Sequence, residues 1–193
     1  MNVSRVKFNT KDRPEFFSVL TRRVNAHFRE NNIDKYANSK MVFKTVFMVA
    51  LYFLPLIFML VGDVQSTGLM FLLWTLMGFG MSGIGLSIMH DANHGAYSRN
   101  KNVNTALSFL LNFVGGYHIN WRIQHNVLHH SFTNIHGHDE DIEKGVMRFC
   151  PTQERKPFFR FQLFYAPFLY GILTLYWVVG KDFEQLVRYR KKD

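Results

Sequence analysis

Three long apolar blocks, separated by basic and histidine-rich stretches, organise this chain. Thr45 to Gly62 (TVFMVALYFLPLIFMLVG) carries no charge over eighteen residues. At about 1.5 Å per helical residue, that is just enough to cross a hydrocarbon core. Pro55 falls inside the block, and a membrane helix tolerates an internal proline better than a soluble one does. A short polar turn, Asp63 to Gly68, leads into Leu69 to Met89 (LMFLLWTLMGFGMSGIGLSIM), again uncharged. Its Gly78, Gly80, Gly83 and Gly85 permit close helix packing. The two blocks predict a transmembrane hairpin with a very short outer loop.

The other segments read differently. Residues 13 to 36 predict an amphipathic helix, with Pro14 in its first turn and Phe17, Leu20, Val24 and Phe28 at helical spacing. Arg22, Arg23 and Arg29 flank that stripe, so the helix fits either the headgroup region of a bilayer or an ordinary packed surface. Val103 to Ile119 is apolar but short, and Asn112 and the Gly115-Gly116 pair interrupt it, which suits a half-buried or interfacial helix. Leu163 to Gly180 (LFYAPFLYGILTLYWVVG) is a third block of membrane length, with Pro167 inside it.

Charge placement orients the segments. Ten basic residues, Arg5 through Lys44, precede the hairpin, and its outer loop has none. The positive-inside rule then puts the N-terminus and the histidine-rich stretch 90 to 157 in the cytoplasm. The third block conflicts with this rule if it crosses. Arg155, Lys156 and Arg160 precede it, while Lys181, Arg188, Arg190, Lys191 and Lys192 follow it. A re-entrant segment turning near Pro167 would remove the conflict.

Composition narrows the class further. The 193 residues have a mean hydropathy of −0.07, an average that hides the segregation just described. The formal charge of +9 is compatible with nucleic acid or an anionic membrane surface. Because the basic residues flank apolar blocks, the membrane reading holds and nucleic acid is not an expected partner. A single cysteine, Cys150, excludes an internal disulfide and a cysteine-based zinc cluster. The expected fold is all-α and integral to the membrane, a helical hairpin plus interfacial or re-entrant helices carrying histidines.

Those histidines carry the chemistry. His90 and His94 (HDANH) stand at the end of the second block, and positions four apart on a helix share a face. His125 and His129 repeat the spacing in HNVLHH, and His130 would point about 100° further round. Five imidazoles exceed what one tetrahedral zinc uses and point to a dinuclear centre at the membrane boundary. Asp91, Asn93 and Asn126 lie between these candidates and are placed to orient ring N–H groups. The acidic run Asp139, Glu140, Asp141 and Glu143 is expected to be a solvated loop, although it could also pin the histidines. His118 fits a structural interface as well as a ligand role, and His27 looks incidental.

HDANHGAYSRNKNVN followed by WRIQHNVLHHSFTNIHGHDEDIE resembles the membrane fatty-acid desaturases, in particular their bacterial acyl-lipid or linoleoyl-CoA-type front-end branch. The likeness runs over almost the whole chain. It implies that His90, His94, His125, His129 and His130 are catalytic and bind two Fe ions. It also implies an O2-dependent reaction in which two hydrogens leave adjacent methylenes of an acyl chain carried by CoA, lipid or a carrier protein. An unactivated C–H bond is beyond acid–base chemistry, so a strongly oxidising metal centre is required.

The family's third histidine box, usually Gln-x-x-His-His, is absent from residues 1–193. The resemblance therefore covers an N-terminal portion, expected to bind two irons poorly and to be inactive alone. A fused haem domain with His-Pro-Gly-Gly is also absent, so an external ferredoxin-like or haem electron donor is expected. Two alternatives share the pattern: a membrane di-iron hydroxylase of alkanes, sterols or carotenoids, and a truncated membrane protein without catalysis.

Overall fold

The computed structural model describes residues 6–9, 15–142 and 145–190. Expectations resting on Arg5, Pro14, Glu143, Lys191 and Lys192 fall outside them. Every regular element among the described residues is helical.

Helix α1 (Glu15–Glu30) buries none of its residues. Helix α2 (Ser39–Val61) starts at Asn38, whose side chain accepts the Met41 N–H at 3.0 Å and satisfies one of the free donors of the first turn. It reaches further back than the uncharged block, over Lys40 and Lys44. Their alkyl stems can lie along the helix while the ammonium groups reach the headgroups. Helix α3 (Thr67–Gly83) is capped by Ser66, passes through a π turn at Ile84–Ile88 and continues into α4 (Met89–Asn93). Together they make one rod of 27 residues, about 40 Å long. The second apolar block thus carries the first histidines on its own extension.

α2 and α3 pack side by side because Gly80 allows it. A Cβ at Gly80 would come within 2.6 Å of the Tyr52 backbone nitrogen. Gly83 lies against the Met48 side chain, whereas Gly78 and Gly85 face open space. Two of the four glycines therefore serve the contact, fewer than the sequence suggested.

Tyr52, Ile84, Ile88, Met89, Ala92, Tyr97, Leu111, Val114 and Trp121 form the core, gathered at the histidine end of the hairpin. Further along the rods Leu60, Phe71 and Trp74 are exposed, and Leu86 faces outward beside the core. So large an apolar surface would be a liability in water and is what lipid-facing helices present. Both rods are long and apolar enough to span a bilayer, so the chain is an integral membrane protein.

Helices α5 (Lys101–Ser108) and α6 (Leu110–Phe113) close the core before the chain turns at Gly115, at a φ of +96°. The second histidine segment follows as α7 (His118–Arg122), a π-helical stretch Ile123–His129 and α8 (His130–Phe132).

The third apolar block is α9 (Gln162–Gly171), α10 (Leu173–Tyr176), a π turn at Trp177–Lys181 and α11 (Asp182–Arg190), preceded by a short 3-10 turn at Pro157–Phe161. It bends by 61° between Gly171 and Leu173, not at Pro167, which stays inside α9. Proline removes one hydrogen bond from a helix that can absorb the loss, whereas the weak helix former Gly171 marks the break.

Both ends of this block are held on the histidine side. Near its start, Gln162 Oε1 accepts the Arg148 N–H at 2.8 Å and the Tyr165 hydroxyl donates to the Val146 carbonyl at 3.0 Å. Past its end, Asp182 accepts the Tyr117 N–H at 2.5 Å, and its carbonyl accepts from Asn120 at 2.8 Å. The block is thus a bent pair of helices, tied at its start to the 146–148 segment and past its end to the turn before α7 and to α7 itself.

Candidate metal centre

The first histidine pair follows the ordinary helical rule. The His94 N–H donates to the His90 carbonyl at 3.1 Å, and the two ring centroids lie 4.7 Å apart. Gly95, at φ +69°, ends the helix in a conformation that other residues rarely adopt. Asp91 Oδ1 stands 3.2 Å from His90 Nδ1. Asn93 is buried, and its amide donates to the Met89 carbonyl at 2.9 Å. Asn126 donates to the Asn93 carbonyl at 3.0 Å and so ties the second histidine segment to the first. Of these three polar residues, Asp91 touches a ring, and the two asparagines hold backbone.

The second group departs from the predicted spacing. The His130 N–H donates to the His125 carbonyl, an i to i+5 bond, so residues five apart stand one above the other. His125 and His130 therefore share a face, with their Nε2 atoms 3.3 Å apart. His129 comes off the adjacent side. Its ring stacks near His125 at 5.4 Å, and its Nδ1 faces Asp139 at 3.1 Å and Asp141 at 3.3 Å. With Nδ1 facing the carboxylates, Nε2 is the nitrogen whose lone pair is left to ligate a metal.

The two segments converge. Ring centroids lie 5.2 Å apart for His90 and His125, 5.2 Å for His94 and His125, and 5.0 Å for His94 and His130. One ring nitrogen each of His90, His94 and His125 falls within 4.8 Å of the others. Trp121 stacks on His125 at 4.3 Å and walls the cluster on the core side. Trp121 stands four residues before His125, so helical spacing alone could have flagged it.

Electrostatics favour the neutral ring at His125 and His94. Burial, then the neighbouring imidazoles of His130, His94, His90 and His129, push His125 down to about 4. Burial and the adjacent His90 and His130 likewise lower His94. Neutral imidazole is the form that ligates metal. Asp139 is wholly buried. Burial opposes its charge, yet N–H groups of Asn134 and Asp141 and the His129 ring together hold its carboxyl below the ordinary range. It is no solvated loop residue: it accepts the Asn134 N–H at 2.8 Å and the Asp141 N–H at 3.0 Å while facing His129. A cluster of imidazole nitrogens backed by a buried carboxylate fits a divalent first-row metal such as iron.

A polar clasp braces the loop from behind. Gln124 donates to Asp141, Gln185 on α11 donates to Gln124 at 3.2 Å and to Glu140 at 3.0 Å, and Arg188 meets Glu140 at 2.7 Å. No local spacing announces Gln185. His118 is buried, with Nδ1 3.1 Å from Asn112 Oδ1 and its ring against Phe109, so it serves the packing of α6 on α7. His27 lies on α1 beside Asn31.

A membrane hairpin that presents clustered imidazoles from two helices at one end defines an integral membrane protein with a histidine-rich metal-type site. Residues 66–192 match the Fatty acid desaturase family, and the chain belongs to it. It is 37% identical over 182 residues to the sn-1 linoleoyl-lipid 6-desaturase of Synechocystis sp., covering 92% of this chain and 49% of that protein. The Acyl-lipid (8-3)-desaturase of Physcomitrium patens is 34% identical, over 92% of this chain and 38% of that protein. The sn-1 linoleoyl-lipid 6-desaturase of Arthrospira platensis is 35% identical, over 86% and 45%. The chain thus spans about half the length, or less, of these relatives. No solved structure matches it.

Proposed function

We propose that this chain supplies the hairpin and two ligand-bearing segments of an O2-dependent fatty-acyl desaturase, with His90, His94, His125, His129 and His130 holding two irons. The observation that carries the reading is the approach of rings from α4 and from the 123–130 segment to within about one metal's reach of each other. When bound, the iron pair supplies, from O2 and two electrons, the oxidising power that an unactivated C–H bond demands.

The chain's own residues do the positioning. His125 sits centrally, in contact with the rings of His90, His94, His129 and His130. Asp139 fixes the His129 ring by its Nδ1 and leaves Nε2 to ligate. Asp91 steadies His90 in the same way from a more open position. Asn93 and Asn126 hold the two segments in register, and Trp121, Ile88 and Met89 keep water from the core side.

The acyl chain enters from the bilayer. Relatives named for linoleoyl-lipid substrates favour a lipid-linked acyl group over CoA or a carrier protein. Electrons arrive from a ferredoxin-like or haem donor on the histidine side. In this reading that side faces the cytoplasm at a bacterial inner membrane, and the charge asymmetry around the hairpin supports the orientation.

The test is product analysis of host membranes expressing the gene product that contains this chain, beside its His125→Ala variant. New cis double bonds, absent with the variant, are expected. Hydroxylated chains would instead identify a membrane hydroxylase, and no new product with no bound iron would leave a membrane protein without catalysis.

A further inference from the structure

Helix α1 leaves its apolar stripe uncovered. Phe16 and Phe17 are 57% and 75% exposed, and Leu20 and Val24 are 45% exposed each. At about 100° per residue these four lie within an arc of about 100°. The opposite side of the helix carries Ser18, Arg22, Asn25 and Arg29, so of the three arginines expected to flank the stripe only Arg23 borders it. A stripe of this kind calls for a cover.

The chain leaving α1 shows where the helix is held. Asn32, at φ +52°, ends the helix, and Asp34 then pairs with Arg99 at 2.9 Å. The Ala37 N–H donates to the Tyr97 carbonyl at 3.0 Å, and Thr45 meets the Tyr97 hydroxyl at 2.7 Å. Tyr97 and Arg99 belong to the turn just after His94. The exit of α1 is thus pinned to the histidine end of the hairpin. There α2 already turns Phe43 and Phe47 outward to lipid. The lipid-facing surface of α2 and the exit of α1 therefore meet at one depth. Arg22, Arg23 and Arg29 outnumber Glu15 and Glu30 on α1, and Lys35, Lys40 and Lys44 follow. The cover that matches an apolar stripe, a basic excess and this depth is the headgroup layer of an anionic bilayer.

We propose that α1 lies in the plane of the membrane on the histidine side, with Phe16, Phe17, Leu20 and Val24 in the acyl–headgroup boundary. There it anchors the entry to α2 against anionic lipid.

The experiment uses the whole chain with Cys150→Ser and a single new cysteine, Leu20→Cys or Asn25→Cys. Each is labelled with an environment-sensitive fluorophore and reconstituted in nanodiscs of phosphatidylcholine with or without phosphatidylglycerol. Unchanged gel-filtration and circular-dichroism profiles serve as the folding control. At position 20 the emission should shift to the blue and be quenched by nitroxide-bearing lipid several-fold more than at position 25, which aqueous iodide should quench instead. Changing Arg22, Arg23 and Arg29 together to Gln should lower lipid quenching at position 20 in the phosphatidylglycerol discs. Equal iodide quenching at both positions would overturn the proposal. So would a position 20 shielded from both quenchers, since protein would then be its cover. Quenching indifferent to the three arginines and to phosphatidylglycerol would overturn the anionic-lipid part.

Discussion

The two histidine segments solve one problem with different helices. In the first, the π turn at Ile84–Ile88 comes before the histidines, and His90 and His94 sit on an ordinary α turn four residues apart. In the second, the π turn runs through Ile123–His129 itself and brings together His125 and His130, five apart. The supports differ as well. His90 leans on the adjacent and half-exposed Asp91, whereas His129 leans on Asp139, which is fully buried. A π turn shifts the phase of every later side chain, so its position relative to the histidines decides which rings face inward. The first segment is built on the rod, and the second depends on the loop and helix packed behind it.

That contrast can be broken at its strongest point first. His125→Ala removes the ring that touches all four others. In the gene product that contains this chain it should abolish tight iron binding, read as iron per protein after dialysis, whereas His90→Ala should leave part of it. Equal losses would show that no ring is central.

Asp139→Asn comes next. Removing the buried partner of His129 should weaken iron binding by about 10- to 100-fold, the usual cost of losing a residue that orients a metal-bound imidazole. Competition with a chelator would measure this.

The pH dependence of the metal-free chain sharpens the same point. His125 is depressed from 6.5 to about 4, so between those values the unfolded chain takes up a proton that the folded chain refuses. Stability should fall as the pH drops through that window and then level off for this group. Asp139, held below its ordinary 3.8, adds stability that is present above that value and lost as the pH falls further. Thermal unfolding in detergent with chelator present should trace this slope, and His125→Gln should flatten its upper part. A flat native curve between pH 4 and 6.5 would contradict the assignment.

The smallest effect is expected at Asp91→Asn. Because Asp91 is half exposed and beside its partner in sequence, iron affinity should change by no more than about threefold. A larger loss would make the two supports equivalent.

How far the sequence alone reaches follows the same division. The hairpin is legible because eighteen and more uncharged residues leave a helix little alternative. The His90–His94 pairing is legible because one α turn is local. The pairing of His125 with His130 is not, since HNVLHH reads equally well with a four-residue turn, and the shift to five depends on what packs around it. Asp139 sits in an acidic run that looks solvated, and its burial comes from Ile135, Asn134 and His129 folding over it. Pro167 is the strongest breaker in the third block, yet the bend falls at Gly171 because a membrane helix absorbs one missing hydrogen bond. The clasp of Gln185 to Gln124 and Glu140 joins residues far apart in the chain, and no periodicity points to it.

X-ray absorption at the iron edge of the full-length protein in membranes tests the convergence of these imidazoles on shared metal most directly. The account predicts a nitrogen shell with the outer-ring scattering of imidazole and a second iron nearby, both diminished in His125→Ala. A shell of oxygen or sulfur alone, or a spectrum that the His125 substitution leaves untouched, would contradict it.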